Sequence, residues 1–150
     1  MRDKRFVAIH RGGNLCLKEH RLLMKWAIDC SRHILPLVEE DIDQRLNDAL
    51  IVAKQWENGD GKVGDARKAS LAAIAVANES KNQITKYAAR SVGHAVATAH
   101  MADHSIIAAE YALKVVKTIG YSVEDERNWQ NNQVAAEIKA LVLSSRNRRA

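Results

Sequence analysis

An alanine-rich stretch restricts the folds open to this chain more than any other feature of its sequence. Fifteen of the 47 residues from 66 to 112 are alanine. Apolar residues on both sides recur at helical spacing instead of alternating as they would in a strand. Small side chains let helix axes approach toward the short end of the usual range of about 8–10 Å. The chain is therefore predicted to be all-α, with its third to fifth helices forming a compact central layer.

Six helices joined by short loops are predicted, as a bundle or orthogonal array in a single domain spanning 1–150. The predicted ranges are 18–34, 41 or 43 to the turn at 58–61, 65–78, 82 to 100 or 101, 103–119, and 122 into the C-terminal arginines. Pro36 and Gly120 should end the first and fifth helices, and Asp103 and Ser122 should cap the fifth and sixth. Residues 1–16 are expected to be irregular, with one short strand at 6–9. No helix-breaking residue marks the boundary between the fourth and fifth helices.

The net charge of +5 is concentrated at the two ends of the chain. Residues 1–25 hold seven Lys or Arg against two Asp or Glu, and Arg146, Arg148 and Arg149 add three positive charges, so residues 26–145 carry −3 by difference. Residues 145–150 are expected to form a basic, frayed tail. Solvated termini are the preferred interpretation of this pattern. A nucleic-acid-binding accessory protein that uses its basic termini is an alternative.

The sequence also bears on location and on chemistry. No signal-peptide core follows the charged residues 1–5, and no apolar run approaches the roughly 20 residues of a membrane span. The cytoplasm is the expected location, with no membrane partner, and two cysteines are too few for a disulfide scaffold. Neither a Ser/His/Asp or Cys/His nucleophile arrangement nor a Gly-rich phosphate loop stands out. The chain is therefore expected to be no enzyme and to bind no cofactor.

Three histidines in the alanine-rich stretch are candidate site residues. His100 and His104 are spaced i, i+4, so on one continuous helix they would share a face, as metal-binding histidines do. His94 would lie about 120° away around the same helix and could join them only if the chain breaks. Structural, hydrogen-bonded histidines are the preferred interpretation. A metal-binding protein or hydrolase using His100 and His104 is an alternative, as is contact with a partner.

Several charged residues at helical spacing have local explanations. Asp29 and His33 are i, i+4 and are expected to form a hydrogen bond. Arg45 is expected to pair with one of the neighbouring acids at the start of the second helix. Arg67 and Arg90 border alanine-rich faces, and each either reaches solvent or anchors a buried acid. Asp29 and Asp43 are the candidate acids for that role.

The order of several short motifs resembles a known family. The motifs are Trp26-Ala27-x-Asp29-Cys30, Leu35-Pro36-Leu37, Asp43-x-Arg45, Ala53-x-x-Trp56-x-x-Gly59, Ala66-Arg67, GHAVATAH at 93–100, and Ala102-Asp103-His104. In this order, over roughly residues 12–115, they resemble the immunity proteins of bacterial polymorphic toxin systems called immunity protein five-like. The resemblance implies a small helical protein that binds and neutralises a cognate toxin. It gives Asp29, Arg45, Arg67, Arg90 and the three histidines as motif residues, which are expected to be structural.

An acidic edge is the candidate surface for such a partner. A toxin that attacks nucleic acid would present a basic surface, and complementary charge speeds association. The acids that gather around the second helix and its loops are Asp41, Asp43, Asp48, Glu57, Asp60 and Asp65. We therefore predict that a toxin contacts this edge. Neither the identity of the partner nor the oligomeric state follows from the sequence.

Overall fold

The structure is a computed structural model that describes residues 3–149. Within these residues the chain is helical and contains no strand, which confirms the all-α prediction. The seven α-helices are α1 (Leu17–Ile34), α2 (Gln44–Glu57), α3 (Val63–Glu79), α4 (Gln83–Ala97), α5 (His104–Ile119), α6 (Val123–Asn132) and α7 (Ala136–Arg149). Short 3-10 turns occupy Lys4–Phe6, Ile9–Arg11 and Leu35–Leu37. No helix in the described range is both long enough and apolar enough to cross a membrane.

Local sequence signals explain where most of these helices begin and end. The Asp43 carboxylate accepts a hydrogen bond from the backbone N–H of Arg45 at the start of α2. Asn82 caps α4 in the same way, and Ser122 caps α6. Each side chain replaces a partner that the first turn of a helix cannot supply to its own N–H groups. Gly120 ends α5 with a φ of 97°, a left-handed conformation that glycine adopts without strain.

The alanine-rich helices form the centre of the packing. α4 packs most extensively against α3 and α5, and it also contacts α1 and α2. Ala89 and Ala95 of α4 and Ala108 of α5 are fully buried. Gly93 faces α3 at close range, since a Cβ atom at this position would stand 3.0 Å from Cγ1 of Ile74. Small residues therefore set the close approach of α3 and α4.

The predicted sixth helix is two helices. Gln133 ends α6, and α7 begins at Ala136. The bend between them lets both Val134 and Ile138 reach the apolar cluster around Trp26. The sequence shows only a polar run here, without proline or glycine, so the break depends on tertiary packing.

The expectations for the two ends of the chain also need correction. The predicted strand at 6–9 is instead part of two 3-10 turns, with a single bridge between Ala8 and Leu15. The tail at 145–149 continues α7 and does not fray, and Arg146 is buried. Its guanidinium donates to the Oε1 of Gln130, 2.6 Å away, and to Asn131. These bonds explain why the helix holds to Arg149. Residues 1, 2 and 150 lie outside the described range.

Candidate functional site

A turn at 98–103 separates α4 from α5 and rearranges the three candidate histidines. His100 and His104 do not lie on one continuous helix, the condition for a shared face, because His100 lies in this turn and His104 begins α5. His20 of α1 supports the turn, with its ring Nε2–H donating to the carbonyl oxygen of Thr98 at 2.5 Å. The turn therefore belongs to the packing between helices, and no local breaker residue is needed to produce it.

His94 and His104 contact each other, which one continuous helix would not allow. One Nδ1–H donates to the other Nδ1 across 2.9 Å, and the ring of His94 stacks on Tyr111 with an interplanar angle of 9°. Burial, together with the neighbouring His104 and Arg90, lowers the pKa of His94 to about 4. His94 is therefore neutral at pH 7, as expected of a half-buried, stacked ring.

His100 and the two border arginines have partners other than the predicted acids. Nη2 of Arg67 donates to Nε2 of His100 at 3.2 Å, so this arginine ties α3 to the turn at 98–103. The Arg90 guanidinium lies 6.0 Å from the centre of the Tyr111 ring, within reach of a cation–π interaction. Asp29 pairs with Lys25 at 3.1 Å. In the described residues, no group of three or more His, Cys, Asp or Glu is arranged to hold a metal ion.

The predicted hydrogen bond between Asp29 and His33 is replaced by a contact between helices. Nδ1 of His33 lies 2.7 Å from a carboxylate oxygen of Glu126 in α6. The same imidazole ring stacks on Trp129 at 3.5 Å between ring centres. His33 therefore fastens the C-terminal end of α1 to α6.

The acidic edge divides into paired and exposed acids. Asp43 forms an ion pair with Arg45, which also pairs with Glu79 at the end of α3. The hydrogen bond from Arg45 lowers the pKa of both carboxyl groups and raises the pKa of the arginine itself. Glu57 pairs with Lys54 at 2.8 Å, and its side chain is only 11% exposed. These two members of the predicted set, Asp43 and Glu57, therefore have cations of this chain beside them.

Four of the predicted acids are exposed, and they lie in the loop before α2, on α2, in the α2–α3 connection and in the first turn of α3. They are Asp41, Asp48, Asp60 and Asp65. Helix α2 has 14 residues, so its ends stand about 20 Å apart. Among these four acids, Asp48 accepts a hydrogen bond from the side chain of Gln44, which is also in α2, at 2.9 Å. These four exposed acids, called the acidic strip below, extend from the loop before α2 to the first turn of α3.

An apolar groove adjoins the acidic strip at the start of α2. The groove has a volume of about 580 Å³ and is lined by residues that include Pro36, Ile42 and Ile51. The side chain of Ile51 is 51% exposed. Glu39, Glu40 and Asp41 are exposed in the loop that precedes α2. Apolar surface rimmed by charge is typical of protein–protein contact sites.

Sequence reasoning missed two sets of residues. Glu79 completes the Arg45 cluster across α2 and α3, and nothing local to either helix signals that pairing. His10, Arg11 and His20 line a second pocket together with Trp56. These residues come from separate segments of the chain, so only the packing of the helices could reveal that they converge.

The fold and this surface define a helical scaffold with an acidic, partly apolar face. Comparison with known families identifies the scaffold more closely. The sequence model of the family described as Imm-5 like putative immunity protein matches residues 13–137. Because this match covers most of the chain, the protein belongs to that family. Searches among curated proteins and among solved structures found no match.

Proposed function

We propose that this protein is a cytoplasmic immunity protein that binds and neutralises a cognate toxin, without enzymatic activity of its own. Family membership supports the general role. The observation that carries the mechanism is the acidic strip beside an apolar groove. A partner that attacks nucleic acid needs a basic surface, and an acidic strip would attract that surface and compete for it.

We expect the acids and the groove to have different roles in binding. Exposed rim charges raise the rate of encounter more than they strengthen the bound state. Apolar anchors in a pocket contribute most of the binding energy in protein interfaces. The exposed acids would therefore steer the partner, and the groove beside Ile51 would hold an apolar side chain of the bound partner. Asp43 and Glu57 would contribute less, because Arg45 and Lys54 already pair with them.

The first experiment tests whether the partner exists. The protein should be co-expressed with the product of the adjacent gene, purified, and assayed for stoichiometry and for protection of cells. A stable one-to-one complex that abolishes toxicity is the expected result. Failure of the two proteins to associate, or toxicity that persists in the complex, would overturn the proposed function.

The second experiment tests the surface. The double variant Asp41→Lys/Asp48→Lys should associate with the toxin several-fold more slowly, with less dependence on salt, because steering charge has been reversed. The matched control is Glu124→Lys/Asp125→Lys, which makes the same change in net charge at two exposed acids of α6. Stopped-flow association rates would distinguish the two. Equal slowing in both variants would assign the effect to overall charge, not to the acidic strip.

The family role is preferred to the two alternatives from the sequence, for which the structure offers less support. The metal site required His100 and His104 on one helical face, but the chain turns between them. The nucleic-acid alternative used the basic termini, of which Arg146 is buried, while Arg148 stays exposed and lies 3.4 Å from a carboxylate oxygen of Asp3. Removal of 145–150 would therefore damage the core as well as remove charge.

A further inference from the structure

A second pocket lies at the opposite end of α2 from the apolar groove. Four segments enclose it: the N-terminal 3-10 turns, the start of α1, the α2–α3 connection and the turn at 98–103. Its volume of about 490 Å³ is within the range of small-molecule sites and exceeds that of any single side chain. The apolar walls include Phe6, Leu15, Trp56, Ala99 and Ala102. Ile9, at the N-terminal wall, is 62% exposed.

Arg11 is the one side chain in the described lining of this pocket that is formally charged at pH 7. His10, Arg11, His20 and His100 line it, and the described lining contains no Asp or Glu. His10 and Arg11 lie close enough to His20 for their charge to add to the effect of burial, and together these lower the pKa of His20. His20 already donates to the backbone of Thr98 and packs against the Trp56 ring, with ring centres 4.7 Å apart. Arg11 is exposed, so its guanidinium remains available to a ligand.

We infer that this pocket binds a small organic anion with an aromatic or aliphatic body. The apolar body would lie against Trp56 and its neighbours, and the anionic group would meet Arg11 at the mouth. Fixed positive charge with an apolar interior selects for a molecule that has both features. The inference depends on the geometry of the pocket and not on the proposed function.

The experiment is an NMR titration of the full-length protein with 1-naphthoate, and separately with the neutral 1-naphthalenemethanol. Trp56 forms a wall of the pocket, whereas Trp129 lies on α6 beside His33, so their indole N–H signals serve as probe and control. Trp56→Phe assigns the signal. We expect a saturable shift at Trp56, no shift at Trp129, and several-fold weaker binding of the alcohol.

A pair of arginine variants tests the charge requirement. Arg11→Gln should weaken naphthoate binding about three- to tenfold, the effect of one exposed charged contact. Arg32→Gln is the matched control, because Arg32 is also exposed but lines a different groove at the other end of α1. Both side chains are on the surface, so neither variant should disturb folding.

Three results would overturn the inference. One is the absence of a saturable shift at Trp56 up to millimolar naphthoate. Another is equal affinity for acid and alcohol together with no effect of Arg11→Gln, which would make the pocket ordinary apolar surface. The third is binding of an acidic, apolar peptide at Trp56 without binding of naphthoate, which would assign the pocket to a protein partner.

Discussion

At the scale of single residues, polar groups inside the helical layer join neighbouring helices. Ser91 of α4 donates to the carbonyl oxygen of Ala108 in α5, and its hydroxyl also lies 2.8 Å from that of Ser31 in α1. Trp26 donates its indole N–H to the backbone of Gln130. Each bond satisfies a polar atom that burial would otherwise leave without a partner. These hydrogen bonds therefore fix the positions of neighbouring helices relative to one another, which alanine packing alone would not do.

The lowered pKa of His94 makes a prediction about acid sensitivity. Its value is about 4 in the folded protein and 6.5 in the unfolded chain. As the pH falls below 6.5, His94 becomes protonated in the unfolded chain but stays neutral in the folded protein. The free energy of unfolding therefore declines from about pH 6.5 toward pH 4. His94 is partly accessible, which reduces the effect, and we expect it to contribute about 1–2 kcal/mol of this loss.

The variant His94→Phe keeps the stacking on Tyr111 and removes the titration. Urea unfolding between pH 7 and pH 4.5 should therefore show a shallower decline in the free energy of unfolding for the variant than for the parent. His20 also has a lowered pKa, and it contributes equally to both proteins. An NMR titration of the His94 ring gives the direct measurement. A pKa near 6.5 for His94, or identical declines, would contradict the prediction.

At the scale of helices, the sequence predicted most of the boundaries that have a local chemical cause. Asp43 and Ser122 cap helices as their side chains allow, and Gly120 ends α5 where a left-handed residue is required. The sequence predicted a helix boundary near 98–103, but it did not predict that this boundary would bring His94 and His104 together. A continuous helix would keep His94 and His104 apart, and only the turn lets α4 and α5 lie side by side and bring the two rings together.

The candidate surfaces were predictable only in part, for a similar reason. The sequence gathers acids around α2, but it does not reveal that Arg45 pairs with Asp43 and Glu79 while Asp41 and Asp48 stay exposed. Local spacing predicts neighbours on one helix. Pairing between helices depends on which faces meet, and periodicity does not specify that.

The contact between α3 and α4 makes a prediction about glycine. A larger side chain at Gly93 would press on Ile74 and on the backbone of Ser70. Gly93→Val should therefore lower the free energy of unfolding by about 1–3 kcal/mol, because overpacking outweighs the gain in helix propensity. Gly64→Ala is the contrasting variant, since nothing lies within 4 Å of a Cβ atom at the start of α3.

Denaturant unfolding of both glycine variants would test this explanation. Gly64→Ala should be neutral or stabilising by up to about 1 kcal/mol, because alanine restricts the unfolded chain and favours the helix. If Gly93→Val were as stable as the parent, close approach of α3 and α4 could not be the reason for glycine at 93.

At the scale of the whole molecule, the N-terminal segment and α7 pack against each other and cover one side of the core. The family match covers residues 13–137, and the described segments outside it pack against each other. Phe6 and Val142 belong to one apolar cluster around Trp26. Nη1 of Arg5 donates to the hydroxyl of Ser144, and Arg148 lies beside Asp3. The basic ends, which the sequence suggested were solvated, thus cover part of the core.

This packing predicts a large effect from one N-terminal side chain. Phe6 is 1% exposed, so Phe6→Ala should lower the free energy of unfolding by about 3–5 kcal/mol, the usual cost of a cavity in place of a buried ring. Ile9→Ala is the control in the same segment, and its exposure predicts a change within about 0.5 kcal/mol. Hydrogen exchange should quicken at Ile138 and Val142 in the Phe6 variant, because the N-terminal segment shields that face of α7. Unchanged hydrogen exchange in α7, or a loss of less than about 1 kcal/mol in the free energy of unfolding, would contradict this prediction. Either result would mean that the core is stable without the N-terminal segment.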